Sequence, residues 1–382
     1  MSPTDGRDDE ILRHGALLTI DLGAIQENYR RLCAELRGAE LRGVDCAAVV
    51  KADAYGLGAA EVGPALARAG AGSFFVALPF EGLALREALA GIEPAPRIFI
   101  LSGFEAGLAA EFRAAGLIPV LNSLGQIEAW QEAAKAAGAV LPAALHLDSG
   151  MCRLGLPPAE TARLAAEPAR LDGLAPALIM SHLACAEDAG NPKNRAQLEL
   201  FRAARRTLPQ APASFANSSG IFLGPEFHFD LARPGVALYG VNPTPGRPNP
   251  MAQVLRLQAR ILQIREIDAP ETVGYGASFR AAGPTRIATI AAGYADGYLR
   301  SLSSRGTAFL DGIATPVVGR VSMDLITLDV TQVPAEAARP GALVDLIQPE
   351  NGLDRLAAEA GTIGYEILTS LGRRYRRSYH SA

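Results

Sequence analysis

The chain has 382 residues, of which 49% are hydrophobic and 20% charged, and its net charge is −4. This profile indicates a globular protein long enough for two domains, and the weak negative charge argues against a nucleic-acid or anionic-membrane partner. The sequence contains no apolar run of about 18 residues, so no transmembrane helix is predicted. The four cysteines form no CxxC pair, which argues against a metal site or a disulfide framework and favours a reducing, cytoplasmic compartment.

The predicted elements alternate between apolar strands and amphipathic helices from about residue 46 to 240. The strand candidates are CAAVV, SFFVAL, RIFIL, LIPVL, AALHLD, ALIMSH, SFANS and GVALYG. Helical stretches between them include residues 57–70, 81–89, 123–137 and 194–207. Buried parallel strands read as continuously apolar, so eight such units predict an α/β fold, a (β/α)8 TIM-type barrel. An open doubly wound sheet is the alternative, but the regular spacing of the eight strand–helix units favours a closed barrel.

The flanking segments set the expected domain boundaries. Residues 1–13 are polar and acidic, unlike a signal peptide, and predict a disordered tail. ALLTIDL and a helix at 23–36 open the barrel domain, residues 14–247. The stretch NPTPGRPNP, residues 242–250, cannot continue a helix or a central strand and predicts a linker. Residues 248–382 then read as a mainly β C-terminal domain with one helix near 353–360.

Lysine is rare in this chain. Of 36 basic residues only three are lysines, namely Lys51, Lys135 and Lys193. Lys51 closes the run CAAVV and therefore lies at the C-terminal mouth of the predicted barrel, where such barrels hold their active sites. A desolvated amine there is a nucleophile toward a carbonyl, a role that arginine cannot take. The alternatives are a Schiff-base lysine and a surface lysine.

Other polar residues also stand at predicted strand ends. Tyr55 opens the turn YGLG before a helix, which suits a phosphate. Arg153, after HLDSG, suits a bidentate clamp on a carboxylate, with a surface ion pair as the alternative. His182 ends a further strand and is either structural or catalytic. Ser218 lies in a possible anion-binding turn, NSSG, and Arg233 precedes the last predicted strand.

Three tyrosines stand beside glycines in the predicted β domain. They are Tyr275 in VGYGASF, Tyr294 in AAGYADGY and Tyr365 in TIGYEIL. Met323 lies in GRVSMDL and reads as a strand start. Tyrosines in glycine-flanked loops are often packing residues, so none of these elements decides the function separately.

Taken together, nine motifs resemble alanine racemase, in order and along nearly the whole chain: AVVKADAYGLG, LDSGMCRLG, MSHLA, ANSSG, RPGVALYG, VGYGASF, GYADGY, GRVSMD and GYEIL. The resemblance implies a barrel that binds pyridoxal 5'-phosphate, followed by a β domain. It also implies a homodimer in which each active site joins one barrel with the partner's β domain. The implied reaction interconverts L-alanine and D-alanine, for peptidoglycan or for alanine catabolism.

The resemblance assigns two catalytic bases. Lys51 would form the Schiff base with the cofactor and, once released, act on the D face of the α carbon. Tyr275 of the partner subunit would act on the L face. Arg233 would face the pyridine nitrogen and leave it unprotonated, which weakens the electron sink and limits side reactions. His182 would bridge the Tyr275 and Arg233 region and tune the basicity of the tyrosine.

The remaining site residues follow from the same resemblance. The phosphate would be bound by Tyr55, Ser218, Gly235 and Tyr365. The substrate carboxylate would be held by Arg153 and the backbone N–H of Met323. Tyr294 and Tyr365 would narrow the entrance, which suits a methyl side chain.

One position departs from the family pattern. Many members carry a carbamylated lysine where this chain has His146, and the carbamate orients the carboxylate-binding arginine. Since imidazole forms no stable carbamate, we expect a chloride, a water or a hydrogen bond from the imidazole to orient Arg153 instead.

Other functions remain open on the sequence. A racemase of the same build with broader specificity, for example toward serine, differs only in its pocket side chains. A decarboxylase of basic amino acids shares the barrel and the lysine, but typically presents an acidic residue to the pyridine nitrogen, so Arg233 argues against it. A cofactor carrier without catalysis would be a single barrel, and a cofactor-free aldolase would show no visible absorbance.

Overall fold

The computed structural model describes residues 12–37, 43–348 and 352–381. The chain forms two compact units, one of residues 25–252 and the other of residues 1–24 together with 253–382. We call them the barrel unit and the β unit. Residues 1–11 of the predicted disordered tail lie outside the described residues.

The barrel unit is built on a curled parallel sheet of seven strands. Most residues of these strands are apolar and buried, as expected for parallel strands covered on both faces. The first strand is split into Asp45–Cys46 and Ala48–Val49, and the others follow in chain order: Ser73–Val76, Arg97–Ile100, Leu117–Leu121, Leu141–His146, Leu174–Met180 and Ala213–Ser214. Their order in the sheet is their order in the sequence, which confirms the predicted barrel class.

A short eighth strand, Leu231–Ala232, lies parallel to Asp45–Cys46. On its other side, a backbone hydrogen bond from the Asp230 N–H to the Ala213 carbonyl (3.0 Å) connects it to the seventh strand. The predicted eighth strand GVALYG is wrong, because Val236–Tyr239 forms a 3-10 helix. Its backbone turns away from strand pairing, since the N–H groups of residues 235 and 237 both point at the hydroxyl of Ser218.

Helices alternate with these strands. They span Leu22–Arg37, Ala59–Arg68, Pro79–Ala88, Ala109–Ala114, Leu124–Ala137, Pro158–Ala166 and Pro192–Arg205. Local sequence sets their ends: Ser123 accepts the Gln126 N–H at one N-terminus, and prolines occupy the first turn of three helices. Among the described residues, no helix is long and apolar enough to cross a membrane.

The β unit is organised around one long strand, Leu255–Ile267. It pairs antiparallel with Ala16–Asp21, Leu343–Ile347 and Thr285–Ile290, and the last of these pairs with Ile326–Asp329. Further strands are Thr272–Val273, Phe279–Arg280, Thr307–Leu310, Ile313–Pro316 and Arg376–His380. The helix Leu353–Ala360 lies at the predicted place, and a second helix, Gly364–Ser370, follows it.

The N-terminal strand differs from the expected domain division. Ala16–Asp21 pairs with Leu255–Ile267 on one side and, in parallel, with Arg376–His380 on the other, so it belongs to the β unit. Its alternate residues Ala16, Leu18 and Ile20 are buried while those between are half-buried. This period of two suits a sheet covered on one face, in contrast to the continuously buried barrel strands.

Candidate active site

Lys51 follows the first barrel strand and opens a turn, Lys51–Gly56, which we call the lysine turn. Four consecutive residues after the lysine, Ala52 to Tyr55, have φ between 52° and 55°. L-residues avoid this left-handed region, at a cost of about 1–2 kcal/mol each. Strain of this kind persists only where the surroundings enforce it, and it concentrates at functional sites.

Hydrogen bonds hold the lysine turn from both ends. The Ala52 N–H donates to Oε1 of Glu81 (2.6 Å), and the Ala59 N–H donates to Oδ1 of Asp53 (2.7 Å). The Ala54 N–H reaches back to the carbonyl of Val50 (2.9 Å). The direction in which Lys51 leaves the strand is therefore determined by contacts outside its own side chain.

The Lys51 amine is tuned toward its neutral form. Burial lowers its pKa and the positive charge of Arg153 lowers it further, while the carboxylate of Glu81 opposes both effects. A lower pKa leaves more of the amine unprotonated near neutral pH. Unprotonated amine is the form that attacks a carbonyl or accepts a proton.

A polar cradle lies beside the lysine turn. The Oγ of Ser218 accepts the N–H groups of Gly235 (3.0 Å) and Ala237 (3.3 Å). A Cβ on Gly235 would lie 2.3 Å from the Tyr55 hydroxyl, so only glycine lets that phenol approach. The Tyr55 ring packs on Tyr239, with the centroids 4.9 Å apart. The cradle thus combines two hydroxyls with backbone N–H groups, a donor set suited to a phosphate.

Arg233 is a buried cation, 4% exposed. Its guanidinium donates to the Ser181 carbonyl (2.6 Å) and to the hydroxyl of Ser214, and it lies 3.5 Å from Nδ1 of His182. Within the described residues it forms no ion pair with a carboxylate. Burial lowers its pKa to about 9, so the group remains protonated at neutral pH. A ring nitrogen facing it would receive a hydrogen bond and no proton.

Both histidines of the mouth are neutral. Burial, followed by the charges of Arg233 and Arg153, lowers the pKa of His182 well below its usual range. Burial and Arg233 lower the pKa of His146 to about 4. The positive charges that remain at the mouth are those of Arg153 and Arg233, which attract an anionic ligand, while Glu81 and Asp148 add negative charge nearby.

The loop that carries Arg153 is held by Asp148. One carboxylate oxygen of Asp148 accepts the N–H groups of Gly150 (2.8 Å), Met151 (3.0 Å) and Cys152 (3.1 Å). Arg153 itself is exposed, yet its charge reaches Lys51 and both histidines of the mouth. No hydrogen bond or ion pair of its guanidinium occurs among residues 12–37, 43–348 and 352–381, so the group is available to an anion.

In the β unit, Tyr275 begins a 3-10 turn, Tyr275–Ala277, and its side chain is 71% exposed. Gly274 and Gly276 both have a φ of 72°. A Cβ on Gly276 would lie 3.1 Å from the guanidinium carbon of Arg320. A φ of 72° is readily adopted only by glycine, so the two glycines set the path of this turn, and the phenol of Tyr275 is exposed.

Met323 and Tyr294 lie on adjoining segments of the β unit. The N–H groups of Tyr294 and Ala295 donate to the carbonyls of Ser322 and Met323, both at 3.0 Å. The Met323 N–H makes no hydrogen bond within the described parts of the chain, so it is available to a ligand. Tyr365 is the second residue of the helix Gly364–Ser370 rather than part of a glycine-rich loop.

Arg374 ties these segments together. It makes two hydrogen bonds to Asp296, at 2.6 and 2.9 Å, and one to Asp324 at 2.8 Å. Asp296 is 5% exposed and also accepts the N–H of Gly293 (3.0 Å). The ion pairs thus connect the turn after Tyr294 with the residue after Met323.

The structure brings the barrel residues of the sequence prediction into one mouth: Lys51, Tyr55, His146, Arg153, His182, Ser218, Arg233 and Gly235. Tyr275, Tyr294, Met323 and Tyr365 belong to the other unit. Glu81 and Asn122 were not predicted from the sequence. Glu81 was detectable as an acidic residue in the third position of a helix, where it accepts the Leu78 N–H (2.9 Å). Asn122 left no sequence signal, because its role is a contact across two strands.

Two family models match this chain. The alanine racemase N-terminal domain covers residues 20–243 and the alanine racemase C-terminal domain covers residues 254–379. An alanine racemase described as catabolic, from Mesorhizobium japonicum, is 53% identical over 365 residues, 96% of this chain and 93% of that protein. An alanine racemase from Rhodospirillum rubrum is 53% identical over 368 residues, 96% of each chain.

Solved structures give the same result. Alanine racemase from Bartonella henselae, with covalently bound pyridoxal phosphate, superposes with a TM-score of 0.90 at 42% identity, covering 96% of this chain and 99% of that one. The biosynthetic alanine racemase from Pseudomonas aeruginosa gives 0.87 at 35% identity, covering 96% and 99%. Since both domains match and the relatives align over nearly their full length, this chain belongs to the alanine racemase family.

Proposed function

We propose that this protein interconverts L-alanine and D-alanine with pyridoxal 5'-phosphate as cofactor. The observation that carries the proposal is the pairing, in one barrel mouth, of Lys51 with a buried arginine, Arg233, that has no carboxylate partner among the described residues. Decarboxylases of similar build typically present an acid to the cofactor ring. An arginine there favours a reaction in which a proton is removed and returned without other bond cleavage.

The residues present fit the cofactor. Lys51 would hold its carbonyl carbon, and Arg233 would donate a hydrogen bond to its ring nitrogen. The cradle of Tyr55, Ser218 and Gly235 would bind its phosphate, and a Cβ at position 235 would fill that space. Tyr365 is the further phosphate ligand that the family pattern suggests. When bound, the cofactor delocalises the electron pair left on the α carbon.

Two bases of this chain would move the proton. Lys51, whose amine pKa is lowered by burial and Arg153, takes or returns the proton on the D face. Tyr275 of the partner subunit would do so on the L face, and His182 would adjust its basicity. Arg153 and the Met323 N–H hold the substrate carboxylate, so the α carbon lies between the two bases. Tyr294 narrows the entrance around the methyl group.

We further propose a homodimer in which Tyr275, Tyr294, Met323 and Tyr365 complete the partner's barrel mouth. The high exposure of Tyr275, 71%, supports this arrangement. We assign the protein to the cytoplasm, because all four cysteines are free. The reaction would supply D-alanine for peptidoglycan synthesis or serve alanine catabolism.

The test is a single isotope experiment. Purified protein with cofactor is incubated with L-alanine in deuterated water, and D-alanine and α-deuterium are measured by chiral chromatography and NMR. We expect D-alanine carrying deuterium at the α carbon. Absence of D-alanine would refute the proposal. The same assay with serine and other amino acids measures the substrate range.

A further inference from the structure

The lysine turn is held from outside by one carboxylate. Oε1 of Glu81 accepts the N–H of Ala52, the residue directly after Lys51, at 2.6 Å. Oε2 accepts the N–H groups of Ala77 (2.7 Å) and Leu78 (2.9 Å), the two residues before the helix Pro79–Ala88. One side chain thus joins the left-handed turn to the segment that follows the second barrel strand.

Ala52 is the point where this contact matters most. It has a φ of 52° and an exposed side chain, so no packing of its own holds it in the left-handed region. It directly follows Lys51 and begins the strained run, so a change of its backbone angles would move Lys51 relative to the rest of the lysine turn, including Tyr55. The N–H that Glu81 accepts belongs to the peptide joining Lys51 to Ala52, so the contact also fixes the backbone orientation from which the Lys51 side chain leaves the turn.

We propose that Glu81 is a positioning residue for Lys51, and that its carboxylate holds Ala52 left-handed so that the amine faces the reacting carbon. The inference rests on the proposed function, since it assigns a role in that reaction. In this role Glu81 itself does not touch the substrate.

A carboxylate is required because three N–H donors converge on two oxygens. Glutamine has one acceptor oxygen, so its NH2 group would face either Ala52 or the pair Ala77 and Leu78, donor against donor. Aspartate keeps the charge but is one carbon shorter and cannot reach both sides at once. Glu81→Gln removes the charge and Glu81→Asp keeps it but shortens the side chain, so the two substitutions separate the effect of charge from that of geometry.

The experiment compares Glu81→Gln with Glu87→Gln in the full-length holoenzyme. Glu87 lies on the same helix, is exposed and undergoes the same charge change. For Glu81→Gln we expect kcat to fall at least tenfold, with KM for alanine changed less than threefold because Arg153 and Met323 are intact. Deuterium uptake by backbone amides in peptides covering residues 50–58 should rise. Glu87→Gln should match the wild type in all three measurements.

A rescue variant distinguishes positioning from a general structural role. Glycine adopts positive φ without penalty, so Ala52→Gly added to Glu81→Gln should recover kcat at least threefold. If Glu81→Gln does not fold, Glu81→Asp carries the same test, and we expect a similar loss of kcat. Wild-type kcat in Glu81→Asp would overturn the geometric argument, and so would no recovery in the double variant.

The two levels of proposal fail in different ways. If the wild type does not racemise alanine, the proposed function is wrong and the inference falls with it. If the wild type racemises alanine but Glu81→Gln equals Glu87→Gln in kcat and in hydrogen exchange, only the positioning role is wrong.

Discussion

Nδ1 of His146 lies 2.8 Å from Oδ1 of Asn122, at the position where many family members carry a carbamylated lysine. The Asn122 amide nitrogen donates to the carbonyls of Leu101 (3.1 Å) and Val120 (2.8 Å), so its oxygen faces the imidazole as an acceptor. Nδ1 therefore carries the proton and Nε2 is left as an acceptor. A guanidinium has only N–H donors and therefore needs a hydrogen-bond acceptor. Nε2 of His146 is thus a candidate to orient Arg153, besides chloride or water.

The neutral His146 predicts acid sensitivity. Its pKa is lowered to about 4 in the folded protein by burial and Arg233, against about 6.5 unfolded. Between these values the unfolded chain binds a proton that the folded protein does not. The free energy of unfolding should therefore fall as pH is lowered from 6.5 toward 4, by at most about 1.4 kcal/mol per pH unit for this group.

Urea unfolding followed by the fluorescence of Trp130, the single tryptophan, measures this effect in the barrel unit. His146→Asn should reduce the slope against pH, and His380→Asn, at an exposed position, should not. An unchanged slope in His146→Asn would contradict the assignment.

The two-base proposal predicts a directional defect. Tyr275→Phe removes the proposed acceptor on the L face and leaves Lys51 in place. Release of the α proton from L-alanine should slow by about 10²–10⁴-fold. Exchange of the D-alanine α proton in deuterated water should slow far less. Proton NMR of both reactions measures this within one variant, and equal losses would count against opposed bases.

The cradle predicts that position 235 tolerates only glycine. In Gly235→Ala the new Cβ would lie 2.3 Å from the Tyr55 hydroxyl, and one of the two must move. We expect cofactor affinity to fall at least tenfold, about 1.4 kcal/mol, in an absorbance titration. Gly107→Ala, with no heavy atom within 4 Å of the new Cβ, is the matched control. Wild-type affinity in Gly235→Ala would rule out the cradle as the phosphate site.

Arg374 predicts a substrate-binding defect that arises in the β unit. Arg374→Gln leaves Asp296, which is 5% exposed, without its bidentate partner and should cost about 1–3 kcal/mol of stability. The Met323 N–H would lose its support, so KM for alanine should rise on the order of tenfold with a smaller change in cofactor affinity. Arg373→Gln, exposed and adjacent, should behave as wild type. A higher KM in both variants would instead indicate a general charge effect.

Most barrel elements were predictable because local patterning forms them. The strand LIPVL lies at its predicted residues, Leu117–Leu121, and the helix predicted at 123–137 starts one residue later because Ser123 is its cap. The prediction of the eighth strand at GVALYG was wrong because that segment has a strand-like composition. In the folded chain the N–H groups of residues 235 and 237 donate to the Ser218 hydroxyl, and the segment forms a 3-10 helix.

The sequence by itself determined the fold class, the break near the prolines and the candidate reactive groups, because hydrophobic period, turn chemistry and residue type are local properties. The tertiary structure decided which groups lie together. It assigned Ala16–Asp21 to the β unit, because that strand pairs with Leu255–Ile267, residues far away in the chain. It placed Glu81 on the Ala52 N–H and Asn122 on His146 by closing the barrel. Burial, too, exists only after folding, and it is burial that makes His146 neutral and lowers the pKa of Lys51.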